Sequence, residues 1–126
     1  MNPNDKTEYW INLAIEDIEV ARLLLSGGKT LYAGFMCHLS IEKGLKAVIS
    51  KSDEPPPKTH DLVKLAKQGN LYSDMDEKQK DFLELLLPLN IEARYPSYKE
   101  NIATSLNEFN CKKILAQTEV LLEWIK

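Results

Sequence analysis

His38, Glu42 and Lys46 recur every four residues in the stretch "CHLSIEKGLKAVISK". On a helix that spacing stacks an imidazole, a carboxylate and an ammonium on one face. Such a file could relay protons, contribute metal ligands, or simply pair charges. The order Glu then Lys at this separation also suits an exposed ion pair, worth only about 0.3–0.5 kcal/mol. His60 and Asp61 form a second cluster in "KTHDLVKLA", and Arg94 with Tyr95 a third in "ARYPSY". A guanidinium beside aromatic rings can hold a phosphate and stack a base, or the same arginine can cap helical carbonyls in a packed loop. Metal binding has little support, because no His-Glu-x-x-His and no Cys-x-x-Cys occurs. Phosphate-cradling glycine loops and the Gly-x-Ser-x-Gly elbow are also missing.

These side chains must be positioned by helices. No run alternates apolar and polar residues with β-branched enrichment, and no Asn-Gly or Asp-Gly hairpin turn is present. A first helix is expected from about Lys6 to Leu25, capped by Asp5 with Glu8 completing a capping box and ended by "SGG". A second is expected from Thr30 to Ser50, with Leu31, Phe35, Leu39, Leu45 and Ile49 as its apolar stripe. The prolines of "KSDEPPPK" break the chain. Thr59 is expected to cap a short third helix that Gly69 closes. The run "NLYSDMDEKQ" reads as loop, and "KDFLELLLPLNIEA" as a fourth helix that Pro88 either kinks or ends, a kink being favoured because Leu89 and Ile91 continue the apolar pattern. "RYPSYKENIAT" reads as loop, and the last helix is expected from Ser105, with Ser105 and Glu108 as a second capping box. The reading is all-α: one domain over residues 1–126, an antiparallel up-and-down bundle of four long helices plus a short fifth.

Bulk properties fit that reading. A chain of 126 residues buries enough surface to fold without metal or disulfide. Its net charge of −3 gives no global drive toward nucleic acid, so any such contact would be a local patch. No apolar run is long enough to span a bilayer, and the N-terminus lacks a secretory pattern, so a cytoplasmic protein is expected. Cys37 and Cys111 lie in apolar helical stretches and are expected to be buried free thiols.

Two carboxylates break the apolar stripes. Asp17 shares the inward face of the first helix with Trp10, and Glu42 shares the second helix with Leu45 and Ile49. A carboxylate inside a bundle costs several kcal/mol unless it is paired. Lys43, Lys46, His38, His60 and Arg94 are the candidate partners.

Trp10, Ala14, Asp17 and Ala21, then "FMCHLSIEKGLKAVI", "KTHDLVKLA" and "EARYPSY", occur in the order seen in one family. The chain resembles the HEPN domain (higher eukaryotes and prokaryotes nucleotide-binding) along nearly its whole length. That resemblance implies a four- to five-helix antiparallel bundle, commonly a homodimer. It also implies a two-component, often toxin–antitoxin, module with a minimal nucleotidyltransferase encoded nearby, or else a metal-independent ribonuclease. No cofactor is implied. The ribonuclease branch carries Arg-x4-6-His. Here "YPSYKENIATSLNEFN" follows Arg94 without a His, and Arg22 lies too far before His38, so that motif is absent. What remains is recognition of a nucleotide, RNA or protein partner. Its candidate residues are Asp17, Glu42, Lys43, Lys46, His60, Asp61, Arg94 and Tyr95. The same residues could equally form a polar network that only fixes packing.

Overall fold

A computed structural model describes residues 3–52, 55–91 and 96–126. Among them the chain forms six α-helices and no strand. These are α1 (Pro3–Ser26), α2 (Thr30–Ile49), α3 (Leu62–Gln68), α4 (Glu77–Leu86), α5 (Pro96–Ser105) and α6 (Glu108–Ile125). Short 3-10 turns lie at Tyr72–Asp74 and Leu87–Leu89. The all-α bundle is as the sequence implies, but only α1, α2 and α6 are long, with 24, 20 and 18 residues.

The α1–α2 turn follows from backbone geometry. Gly28 adopts φ +76°, a left-handed conformation that a side chain disfavours. Its N–H donates to Leu25 O, and the Lys29 N–H reaches back to Leu24 O, the Schellman pattern. The two helices then run antiparallel. The buried Ser40 hydroxyl donates to Ala14 O at 2.8 Å, and near the far end the Thr7 and Ser50 hydroxyls lie 3.3 Å apart. α6 runs alongside α2 in the same direction, with Cys111 against Thr30 at one end and Leu122 against Gly44 further along.

α2 is the axis of the molecule and packs on each of the other five helices. Its face is made of small residues where neighbours come close. A Cβ on Gly34 would lie 2.7 Å from a Leu106 methyl, and one on Gly44 would lie 2.8 Å from a Leu122 methyl. The core collects Ile41, Leu45, Leu62, Leu65, Leu83 and Leu86. Cys111, Ile114, Leu115, Thr118, Leu121, Leu122 and Ile125, which recur at spacings of three and four, are the buried face of α6. Both cysteines are buried and free, and desolvation pushes the Cys37 thiol up to about 12.

Helix ends differ from the sequence expectations. α1 already begins at Pro3, so Asp5 lies in its first turn and is not its cap. Asp61, not Thr59, caps α3: its carboxylate accepts from the Lys64 N–H at 3.2 Å, while Thr59 Oγ1 accepts from the Asp61 N–H. Asp76 and Gln79 make a reciprocal capping box for α4 inside the stretch expected to be loop. Pro88 does not kink a continuing helix; α4 stops at Leu86 and a 3-10 turn follows. The expected loop after Arg94 contains α5, whose first residue is Pro96. Proline at that position sacrifices no hydrogen bond, because the first helical N–H groups have no partner within the helix. Ser105 therefore ends α5 and donates to Ile102 O, and Asn107 caps α6 by accepting from the Asn110 N–H at 2.8 Å.

The close approach at Gly44 makes a direct test. Gly44→Leu should destabilise the protein by about 1–3 kcal/mol, since the packed Leu122 and Ile125 must move. Urea denaturation measures it; an unchanged midpoint would show that α6 does not press on α2 at this point.

Candidate functional site

Glu42 is 4% exposed, on the face of α2 that meets α3 and the segment before it. Burying this carboxylate requires partners, and two arrive from different directions. Lys46, one turn along the same helix, donates to Oε2 at 3.1 Å. His60, from the segment entering α3, brings Nδ1 to 2.8 Å from Oε1. The Lys46 side chain is itself largely buried, so the reading of Glu42 and Lys46 as an exposed pair does not hold. Lys46 also lies 5.7 Å from the centroid of the Trp10 ring on α1, a cation–π distance.

A second buried pair lies beside the first. Asp17 on α1 meets Lys43 on α2, with Oδ2 2.7 Å from Nζ. Burial raises the Asp17 carboxyl above its ordinary 3.8, and the hydrogen bond and charge of Lys43 oppose that rise. The Asp17–Lys43 pair and the Glu42–His60 hydrogen bond thus stitch together α1, α2 and the start of α3.

His38 is completely buried and neither ring nitrogen completes a hydrogen bond. Its Nδ1 is 3.8 Å from Glu42 Oε1, the oxygen that His60 holds. Desolvation lowers the His38 pKa below 6.5, against the smaller upward pulls of the Glu42 charge and the His60 backbone. His38 is therefore a neutral packed imidazole at neutral pH.

His60 differs from it in one respect that matters chemically. Its side chain is 62% exposed although Nδ1 is tied to a buried carboxylate. A carboxylate accepts, so Nδ1 carries the shared hydrogen and Nε2 of the neutral ring keeps a lone pair. Nε2 has no hydrogen-bond partner among the described residues.

Of the sequence candidates, Asp17, Glu42, Lys43, Lys46 and His60 are brought together as two adjoining clusters of ion pairs. Asp61 is not among them, because its carboxylate caps α3. Arg94 and Tyr95 lie outside the described residues. No group of three or more His, Cys, Asp or Glu side chains among the described residues has the geometry to hold a metal ion.

Sequence reasoning passes over an apolar strip on the outside of the bundle. Phe109, Val120 and Trp124 of α6 and Leu85 of α4 are exposed, Val120 at 72%. Val120 lines an open cavity of ≈ 360 Å³ and Leu85 another of ≈ 440 Å³, and Gln117 lines both. The spacing of Phe109, Ala116 and Val120 marks a second apolar line on α6, which the stronger inward stripe masks.

Among the described residues, six helices organised on α2 form an all-α bundle, with a carboxylate–lysine pair between α1 and α2 and a carboxylate–histidine hydrogen bond to the entry of α3. The HEPN domain family model matches residues 7–126, and the chain belongs to that family. Among solved structures, the crystal structure of TT1696 from Thermus thermophilus is similar, with a TM-score of 0.82 over 99% of this chain and 97% of that one. At 18% identity that likeness establishes the fold. No curated protein matches the chain.

Two expectations follow from the buried groups. Lys43→Met strands the Asp17 carboxylate and should cost about 3 kcal/mol, whereas Asp17→Asn with Lys43→Met should recover part of that loss. A double-mutant cycle by chemical denaturation measures the coupling, and strict additivity would dissolve the pair. For His38, the folded pKa lies below the unfolded 6.5, so the unfolded chain binds more protons as pH drops below 6.5. Its stabilising contribution is present above 6.5 and is lost as pH falls through the lower, folded value. Melting temperature should fall from about pH 7.5 to about pH 5.5, and His38→Leu should flatten that slope.

Proposed function

We propose that this protein is the helical component of a cytoplasmic two-component module of the toxin–antitoxin type, which dimerises and binds a minimal nucleotidyltransferase. The observation that carries the reading is the combination of HEPN membership with polar signature residues that largely satisfy one another. Asp17, Glu42, Lys43 and Lys46 are consumed in buried pairs, and no histidine follows Arg94 at the ribonuclease spacing. Their chemistry is the fixing of α1, α2 and the entry to α3, which rigidifies the faces turned outward. The exposed apolar residues of α4 and α6 supply a surface suited to association, with Val120 and Leu85 each at a cavity. No helix among the described residues is long and apolar enough to cross a membrane. Nucleotide or RNA contact would draw on His60 and the Arg94–Tyr95 segment.

A second reading, a metal-independent ribonuclease with a divergent site, is favoured by one observation: the exposed His60 imidazole is oriented by a buried carboxylate, as a general base would be.

Co-expression with the product of an adjacent nucleotidyltransferase gene tests the first reading. One complex should elute on size exclusion, and Val120→Glu should weaken it by about tenfold or more. The absence of both a complex and such a neighbouring gene would overturn it. Metal-free cleavage of RNA that His60→Ala abolishes would install the second reading instead.

A further inference from the structure

We propose that Nε2 of His60 is a phosphoryl acceptor, a modification site for small acyl-phosphate donors. The inference does not rest on the nucleotidyltransferase reading, and it shares with the ribonuclease reading only the Glu42–His60 contact.

The geometry supplies the three things an acceptor imidazole needs. The first is access. The His60 side chain is 62% exposed, and Nε2 makes no hydrogen bond among the described residues. The second is a fixed tautomer. Glu42 Oε1 lies 2.8 Å from Nδ1, which holds the hydrogen there and leaves the lone pair on Nε2. The third is compensation for the charge that forms. Attack by Nε2 on the phosphorus of an acyl phosphate makes the N–P bond while the P–O bond to the acyl group breaks. The carboxylate leaves with the bonding pair, and nothing is oxidised or reduced. The ring then carries hydrogen on Nδ1 and phosphorus on Nε2, so it is formally cationic. Glu42, already against Nδ1, offsets that positive charge.

A surface histidine without this arrangement offers both nitrogens. Here one is occupied, so the regiochemistry of modification reports the proposal directly. The chain helps, because it contains two histidines and the other, His38, is completely buried.

The experiment incubates the full chain with acetyl phosphate and follows intact mass, acid lability and phosphorus NMR. One acid-labile phosphoryl group is expected, on Nε2 of His60 alone, and absent from His60→Asn. Glu42→Gln should slow its formation by about tenfold, the loss of one charge-assisted hydrogen bond to the ring, and let the Nδ1 isomer appear. No modification, modification that persists in His60→Asn, or a mixture of both isomers in the wild type would overturn the assignment. If Glu42→Gln does not fold, the wild-type isomer ratio, compared with that of a blocked histidine peptide, decides the matter.

Discussion

A carboxylate placed inside a helical bundle imposes conditions on everything near it, and Glu42 does so here. It lies on α2, the helix every other helix packs against. Burial there would be untenable with one partner alone, because each oxygen needs a donor. Lys46 meets one oxygen from within α2, and the other is met by His60, from the chain that returns to this spot after the prolines. The approach of His60 therefore fixes where the α2–α3 connection ends. Asp61 then starts α3 one residue later by capping it. A local electrostatic requirement thereby sets the path of a segment that carries few apolar residues of its own.

The neighbouring Asp17–Lys43 pair applies the same logic between α1 and α2. Together the pairs discriminate against alternative registers of these helices. A shift of one turn would keep much of the apolar contact but leave two carboxylates buried without donors, a penalty large enough to select one packing. Family membership and this chain's departures from the nuclease pattern fit together in that light. The polar residues hold the scaffold, and the His60 imidazole facing water is a place where chemistry remains available.

Much of this is legible in the residues, for identifiable reasons. Long amphipathic helices announce themselves through periodicity, so the inward face of α6 and the extent of α2 can be read directly. Polar residues on apolar stripes identify Asp17 and Glu42, because the cost of burial makes such positions conspicuous. Helix ends are harder. Around Ser105 and Asn107 several residues could cap, and α5 ends where the periodicity would start α6, so tertiary packing decides between them. α5 escapes a reading by pattern because its apolar positions are sparse and its opening proline suits a loop equally well. Pairing between helices is not legible. Spacing along α2 offers Glu42 to Lys46, but that Lys43 serves Asp17 depends on the rotation of α1 against α2, which no spacing along one chain encodes.

The tight turn at Gly28 bears on the order in which the molecule comes together. It joins α1 and α2 by so short a connection that their contacts are local and can form as soon as both segments exist. α6 packs against both of them, yet the whole of α3, α4 and α5 lies between it and α2 in the chain. During synthesis from the N-terminus, the hairpin therefore waits with the groove that receives Leu122 and Ile125 uncovered. The small residues that let α6 seat closely also keep that waiting surface shallow, with little for a stray apolar segment to grip.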